Sequence, residues 1–175
     1  QKLLVAPHTL RPRLTELIRN ERRFGDRGHV VMKMNSLVDP DMVDELYAAS
    51  ADGVAVDLIV RGISCIRPQV EGLSERIRVR SIVGRYLEHS RVYRFTNGGG
   101  EGVAVHYIGS ADLMPRNLDR RVEAVVPITD PTLQARIDDT LDVLFADEKL
   151  AWAQIDRTWT KLAPESGGQD AHELI

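Results

Sequence analysis

The stretch "GHVVMKMNSLVDPDMVDELYAASADGVAVDLIV", residues 28–60, decides the fold. Gly28 opens a β-branched run, and Asp39-Pro40 then signals a helix start. The aspartate is a side-chain acceptor for the first turn, and proline suits the first helical position because it has no N–H to satisfy. "VAVDLIV", residues 54–60, follows as a buried strand. Strand, helix and strand at this spacing form a βαβ unit, whose strands are expected to lie parallel with a right-handed crossover.

Working outward, "HTLRPRLTELIRNERRF" places Leu10, Leu14, Leu17 and Ile18 at helical spacing. On the other side, "RGISCIRPQVEGLSE", residues 61–75, has Gly, Pro and Ser spread through it and reads as a long loop. Four strand-like runs follow: "IRVRSIV", "HSRVYRF", "GVAVHYIG" and "RRVEAVVPI". "TNGGGEG" between the second and third marks a hairpin. Another Asp-Pro opens "DPTLQARIDDTLDVLFADEKL", an amphipathic helix with Leu133, Ile137, Leu141 and Leu144 on one stripe. The expected fold is α/β, a mixed sheet flanked by helices on both faces. It forms one domain over residues 1–162, and the aperiodic polar segment 163–175 is expected to be a mobile tail.

At 175 residues and 43% hydrophobic content, the chain is large enough for one core. The single cysteine, Cys65, excludes an intrachain disulfide framework and a Cys-rich metal site, and is read as structural. With no long apolar run and no signal-peptide pattern, no transmembrane segment is expected and the location is read as cytoplasmic, or peripheral to the membrane. The start at Gln1 rather than Met fits an excised piece. Charge is unevenly distributed. From Arg61 to Arg121 there are 11 arginines, no lysine and 6 acidic residues, a net of +5, whereas the remainder carries 12 basic and 20 acidic residues, a net of −8. A guanidinium fork matches phosphate or carboxylate oxygens. The segment therefore reads either as an anion site or as a solvated face paired with acidic helices.

Arg61 lies just past the end of "VAVDLIV", at the carboxyl end of an expected parallel strand, where α/β sheets collect ligands. Lys33 and Asn35 alternate opposite Met32 and Met34 near the end of the preceding strand and are candidates for the same site. In "HSRVYRF", strand alternation would put His89, Arg91, Tyr93 and Phe95 on one face. His89 there is a candidate for proton transfer, with Arg91 stabilising phosphoryl charge; the alternative is a histidine bonded to backbone or to Glu88. "GSADLMPRNLDRR" adds Ser110, Arg116, Asn117 and Arg120, with Gly109 allowing close backbone approach. His8 and His106 are read as surface or packing residues.

His-x-Arg, a hairpin, then Gly-Ser-x-Asp and an Asn resembles half of a phospholipase D-type site. The departures are Arg91 for the Lys, Thr96 for the Asp and Asp112 for the Asn of the turn. A longer resemblance covers Leu3 to Ala151. "KMNSLVDPDMVDELYAAS", "VDLIVRGISCIRP", "GLSERIRVRSIVGRYLEHSRVYRFTNGG" and "SADLMPRNLDRRVEAVVPI" are similar to the last conserved domain of the long bacterial polyphosphate kinases. This resemblance implies a phospholipase D-like domain in an enzyme that reversibly transfers the terminal phosphate of ATP to polyphosphate. It also implies a phosphohistidine in the preceding domain, Mg2+ held by ligands outside this chain, and ATP, ADP, polyphosphate and the remaining domains as partners. A homo-oligomer is implied for the full length, and no nucleic acid. Arg61 and His89 correspond to residues that contact nucleotide and phosphate. The other readings kept open are a dimeric phosphodiesterase and a non-catalytic polyanion-binding module.

Overall fold

The computed structural model describes residues 3–162 and 168–175. In chain order its elements begin with β1 (Leu4–Ala6), α1 (Leu10–Arg22), β2 (His29–Met34), α2 (Pro40–Ala51) and β3 (Ala55–Val60). β4 (Ile77–Ile82), β5 (Val92–Phe95), β6 (Val105–Gly109), α3 (Pro115–Asp119) and β7 (Glu123–Ile128) follow. The chain finishes with α4 (Pro131–Phe145), β8 (Ala151–Ile155), β9 (Thr158–Lys161) and α5 (Ala171–Leu174). Among the described residues the strands form one mixed sheet in the order β1-β7-β6-β5-β2-β3-β4-β8-β9.

The βαβ expectation is met: β2 and β3 pair in parallel with Val30 opposite Val56, and α2 starts at Pro40 with Asp39 accepting from Met42 N at 3.0 Å. β4 joins β3 in parallel, reached through the long loop rather than through a helix. The remaining pairings between these strands are antiparallel.

Alternation along the central strands divides the buried side chains between two layers. Val30, Met32, Met34, Val56, Leu58, Tyr93 and Phe95 pack with Leu10, Leu14 and Ile18 of α1 and Met42 and Leu46 of α2 in the main core. The opposite face has smaller apolar clusters, built from Val31, Val92 and Leu141, and from Ile59, Ile82, Leu144 and Ala171. Beside them on this face lie charged pairs. Asp57 accepts from Arg78 and meets His29, and Asp138 meets both Arg94 and His106. Helices therefore cover both faces, but only one face is uniformly apolar.

Several expectations change. β5 begins at Val92, so His89 and Arg91 lie in the segment leading into the strand rather than within it. β1 and the β8–β9 hairpin extend the sheet at its two edges. Leu133 of the α4 stripe remains half exposed beside Ile108 and Ile128, because only the later turns, carrying Leu141 and Leu144, are pressed onto the sheet. Cys65 is exposed, and its backbone N–H donates to Leu37 O. Of the expected mobile tail, residues 163–167 lie outside the described residues. Residues 168–175 are docked: Ala171 is buried, its N–H donates to Asp147 Oδ2 at 2.7 Å, and Asp170 caps the turn by accepting from His172 N.

Candidate phosphate-binding site

The strand directions bring one edge of the sheet together. β2, β3 and β4 end there; β6 ends there too, and β5 and β7 begin there, because β5 is antiparallel to both β2 and β6. Lys33, Asn35, Arg61, His89, Arg91 and Ser110 consequently arrive from separate stretches of sequence at one end of the molecule.

At its centre is a chain of charged hydrogen bonds. Arg91 donates to Asp112 through Nε at 3.2 Å and Nη2 at 3.1 Å, a two-pronged contact. Its Nη1 donates to His89 Nδ1 at 2.8 Å and to His89 O at 2.9 Å. With Nδ1 accepting, the neutral His89 ring carries its proton on Nε2, the nitrogen left for another partner. The Asp112 carboxylate also accepts from Asn35 N at 2.7 Å and from Asn35 Nδ2 at 3.3 Å. Burial pushes the Asp112 carboxyl up, but Arg91 and Asn35 outweigh it and hold the group below the usual carboxylate range. Asp112 is thus a fixed anion that orients Arg91, and through Arg91 the imidazole. Tyr93, fully buried beneath, ties the same turn down by donating to Ala111 O at 2.6 Å.

Lys33 and Arg61 form the second part. Lys33 is buried, and burial lowers its ammonium pKa, with the positive charges of Arg61 and Arg91 acting in the same direction. Glu88 opposes them by pairing with Lys33, which also donates to Ser90 O at 3.1 Å. The Arg61 backbone is fixed, its N–H on Met34 O and its carbonyl accepting from Ser81 Oγ at 3.1 Å. Its Nη1 is buried without a hydrogen-bond partner among the described residues. Since buried donors are nearly always satisfied, that nitrogen identifies a place where an acceptor belongs.

Ser110 and Asn117 form a separate cluster. Both engage Glu123, Asn117 through Nδ2 at 2.6 Å, and Ala124 N donates to Ser110 Oγ. Asn117 therefore secures the α3–β7 turn and does not orient His89. Arg120 stands exposed at the end of α3, and Arg116 is exposed as well. Gly109 serves a sheet contact, because a Cβ there would lie 2.5 Å from Ala124 O. Glu88, beside His89 in sequence, pairs with Lys33 instead. Asp112 and Glu123 were missed as organisers; the scattered acids of "SADLMPRNLDRRVE" were the available signal, but long-range pairing is invisible to local pattern. Among the described residues no group of three or more His, Cys, Asp or Glu side chains is placed to hold a metal ion. The carboxylate at the centre is committed to Arg91.

A family model described as "Polyphosphate kinase C-terminal domain 2" matches residues 3–172. A polyphosphate kinase of Synechocystis sp. is 52% identical over 173 residues, which cover 97% of this chain and 23% of the relative. One of Streptomyces coelicolor is 49% identical over 178 residues, covering 99% of this chain and 24% of the relative. The chain spans about a quarter of the length of these relatives. Among solved structures, the polyphosphate kinase of Porphyromonas gingivalis superposes with a TM-score of 0.90 at 38% identity, covering 99% of this chain and 27% of that one. Nuc of Salmonella typhimurium, a phospholipase D family member, shares the fold at a TM-score of 0.56 and 19% identity, over 80% of this chain and 90% of its own. With the match running through nearly every described element and through the whole Arg61–His89–Asp112 edge, the chain belongs to the polyphosphate kinase C-terminal domain 2 family.

Proposed function

We propose that this chain is the carboxyl-terminal, phospholipase D-like domain of a polyphosphate kinase, and that its sheet edge supplies phosphate-binding groups for reversible phosphoryl transfer between ATP and polyphosphate. The observation that carries the reading is the buried Arg61 Nη1, without a partner among the described residues, beside Lys33 and the Arg91–His89 pair. Phosphoryl transfer depends on positioning and on stabilising charge at the phosphoryl oxygens. Arg61 provides a fixed donor for one oxygen. His89 offers Nε2–H, held in that tautomer by Arg91, as a second hydrogen-bond donor to a phosphoryl oxygen. A phosphohistidine, Mg2+ accompanying the nucleotide and the rest of the nucleotide pocket would come from preceding domains, in a cytoplasmic homo-oligomer.

The other readings fare less well. A non-specific polyanion surface draws on free arginines, and Arg67, Arg78, Arg91 and Arg94 are each paired with an aspartate while Arg80 donates to Phe145 O and Asp147 O, which leaves that reading to the rest of the segment, including the exposed Arg116 and Arg120. A phosphodiesterase would want an acidic residue at Thr96, which is buried against Glu21 and donates its N–H to His29 O.

The test is Arg61→Ala in the whole kinase, assayed for ATP-dependent polyphosphate synthesis. Loss of one fixed donor to a developing charge lowers kcat by about 10²- to 10³-fold. Unchanged kcat would refute the role of Arg61, and with it the reading of the site.

A further inference from the structure

The carboxyl-terminal turn brings a side chain to this edge that no sequence pattern connects with it. His172 of α5 lines the same small cavity as Lys33, Arg61 and Glu88, with Ile59, Ile82 and Leu144 as the apolar wall. Both its ring nitrogens are buried, and neither has a hydrogen-bond partner among the described residues. A neutral imidazole must satisfy one donor and one acceptor, and a protonated one two donors. Leaving them unmet inside the protein is costly, as it is for Arg61 Nη1 across the cavity.

The ring is nevertheless held firmly. Its centroid lies 5.7 Å from that of Tyr86. Gly84 lets the ring come close, since a Cβ there would fall 2.7 Å from His172 Nδ1. The turn is anchored by the buried Ala171 and by the bond from its N–H to Asp147. The fold thus pins an imidazole with unmet hydrogen-bonding capacity beside a guanidinium with an unmet donor. The cavity between them, about 10 Å³, is at the lower limit for one water. Room for a larger acceptor arises when Glu88 leaves Lys33, and Glu88 follows an exposed stretch, Val83 to Leu87.

We propose that His172 is a further phosphate-binding residue, which donates with Arg61 and Lys33 to the oxygens of one phosphoryl group after that group displaces Glu88. This rests on the function proposed above and places a ligand contact on the carboxyl-terminal turn.

The test uses the 175-residue chain with labelled histidine rings, tripolyphosphate in one arm and ATP in the other, and the variants His172→Phe, His172→Gln and Arg61→Ala. Phe keeps the ring volume without nitrogen, while Gln restores one donor. The expected result is a saturable shift of the His172 ring signals, dissociation constants weakened roughly ten- to hundredfold by Phe, and partial recovery with Gln. An effect in the tripolyphosphate arm alone assigns the contact to the polyphosphate chain, and an effect in both assigns it to a phosphoryl group common to the two. If Arg61→Ala abolishes binding while His172→Phe binds as the wild type and the His172 signals stay still, this proposal is overturned and the site reading survives. If neither ligand disturbs any histidine, both fall. Urea unfolding of each variant separates a lost contact from a lost fold.

Discussion

At the scale of single residues, the site combines two charged groups with opposite consequences for stability. Asp112 has its carboxyl held below the usual range by Arg91 and Asn35 despite burial. Its contribution is therefore complete above the unfolded carboxyl value, about 3.9, and is lost as pH falls through the lower folded value. Asp112→Asn should be less stable than the wild type at pH 7, and its loss of stability on acidification below about pH 4 should be shallower, as read by urea unfolding across pH. Parallel slopes would show that Asp112 carries no such linkage. Lys33 behaves in the opposite sense. Burial depresses its ammonium, so the charged form burdens the fold below the folded pKa, and the burden lifts as pH rises toward the unfolded value. Lys33→Met is expected to keep full stability while weakening tripolyphosphate binding about tenfold, a split between melting and titration that a purely structural lysine would not give.

Between elements, specific long-range contacts set the geometry of the sheet edge. Arg11 of α1 grips Asp39, the cap of α2, through Nη1 at 2.8 Å and Nη2 at 2.5 Å, and also reaches Asp119 at the end of α3. Removing it leaves the buried Asp39 with only its capping bond, so Arg11→Ala should cost roughly 2–3 kcal/mol in urea unfolding. Gly109→Ala drives a Cβ against β7 backbone and should cost about 1–3 kcal/mol. Retained stability in either variant would show that these contacts yield more easily than their geometry suggests. The βαβ unit was legible because Asp39-Pro40 and the β-branched runs are local signals that agree with the final packing. The β8–β9 hairpin was not: its two-residue turn is Asp156-Arg157, without the Asn-Gly or Asp-Gly that announces such turns. His89 and Arg91 were singled out in the sequence, but strand alternation assigned them the wrong setting, since nothing local says that β5 starts at Val92. The placement of His172 was unreadable in a segment that looks polar and aperiodic, because its surroundings come from Gly84, Tyr86 and the Arg61 loop, all far away in sequence.

For the molecule as a whole, the chain corresponds to about a quarter of its polyphosphate kinase relatives, and its site is an edge rather than an enclosed pocket. It presents cationic donors and a histidine, with no metal-binding cluster among the described residues. Because the chain spans only about a quarter of those relatives, it is expected on its own to bind phosphate chains yet form no polyphosphate from ATP and Mg2+; product in that assay would place the complete catalytic machinery within these 175 residues. The central claim is that the sheet edge is a preformed phosphate site organised around Arg61 and His89. Its most direct test is a tripolyphosphate titration of the labelled chain, following the His89 ring signals in the wild type and in Arg61→Ala. A saturable His89 shift that vanishes in Arg61→Ala is the predicted result. A His89 signal that never moves, or that moves equally without Arg61, would contradict the account.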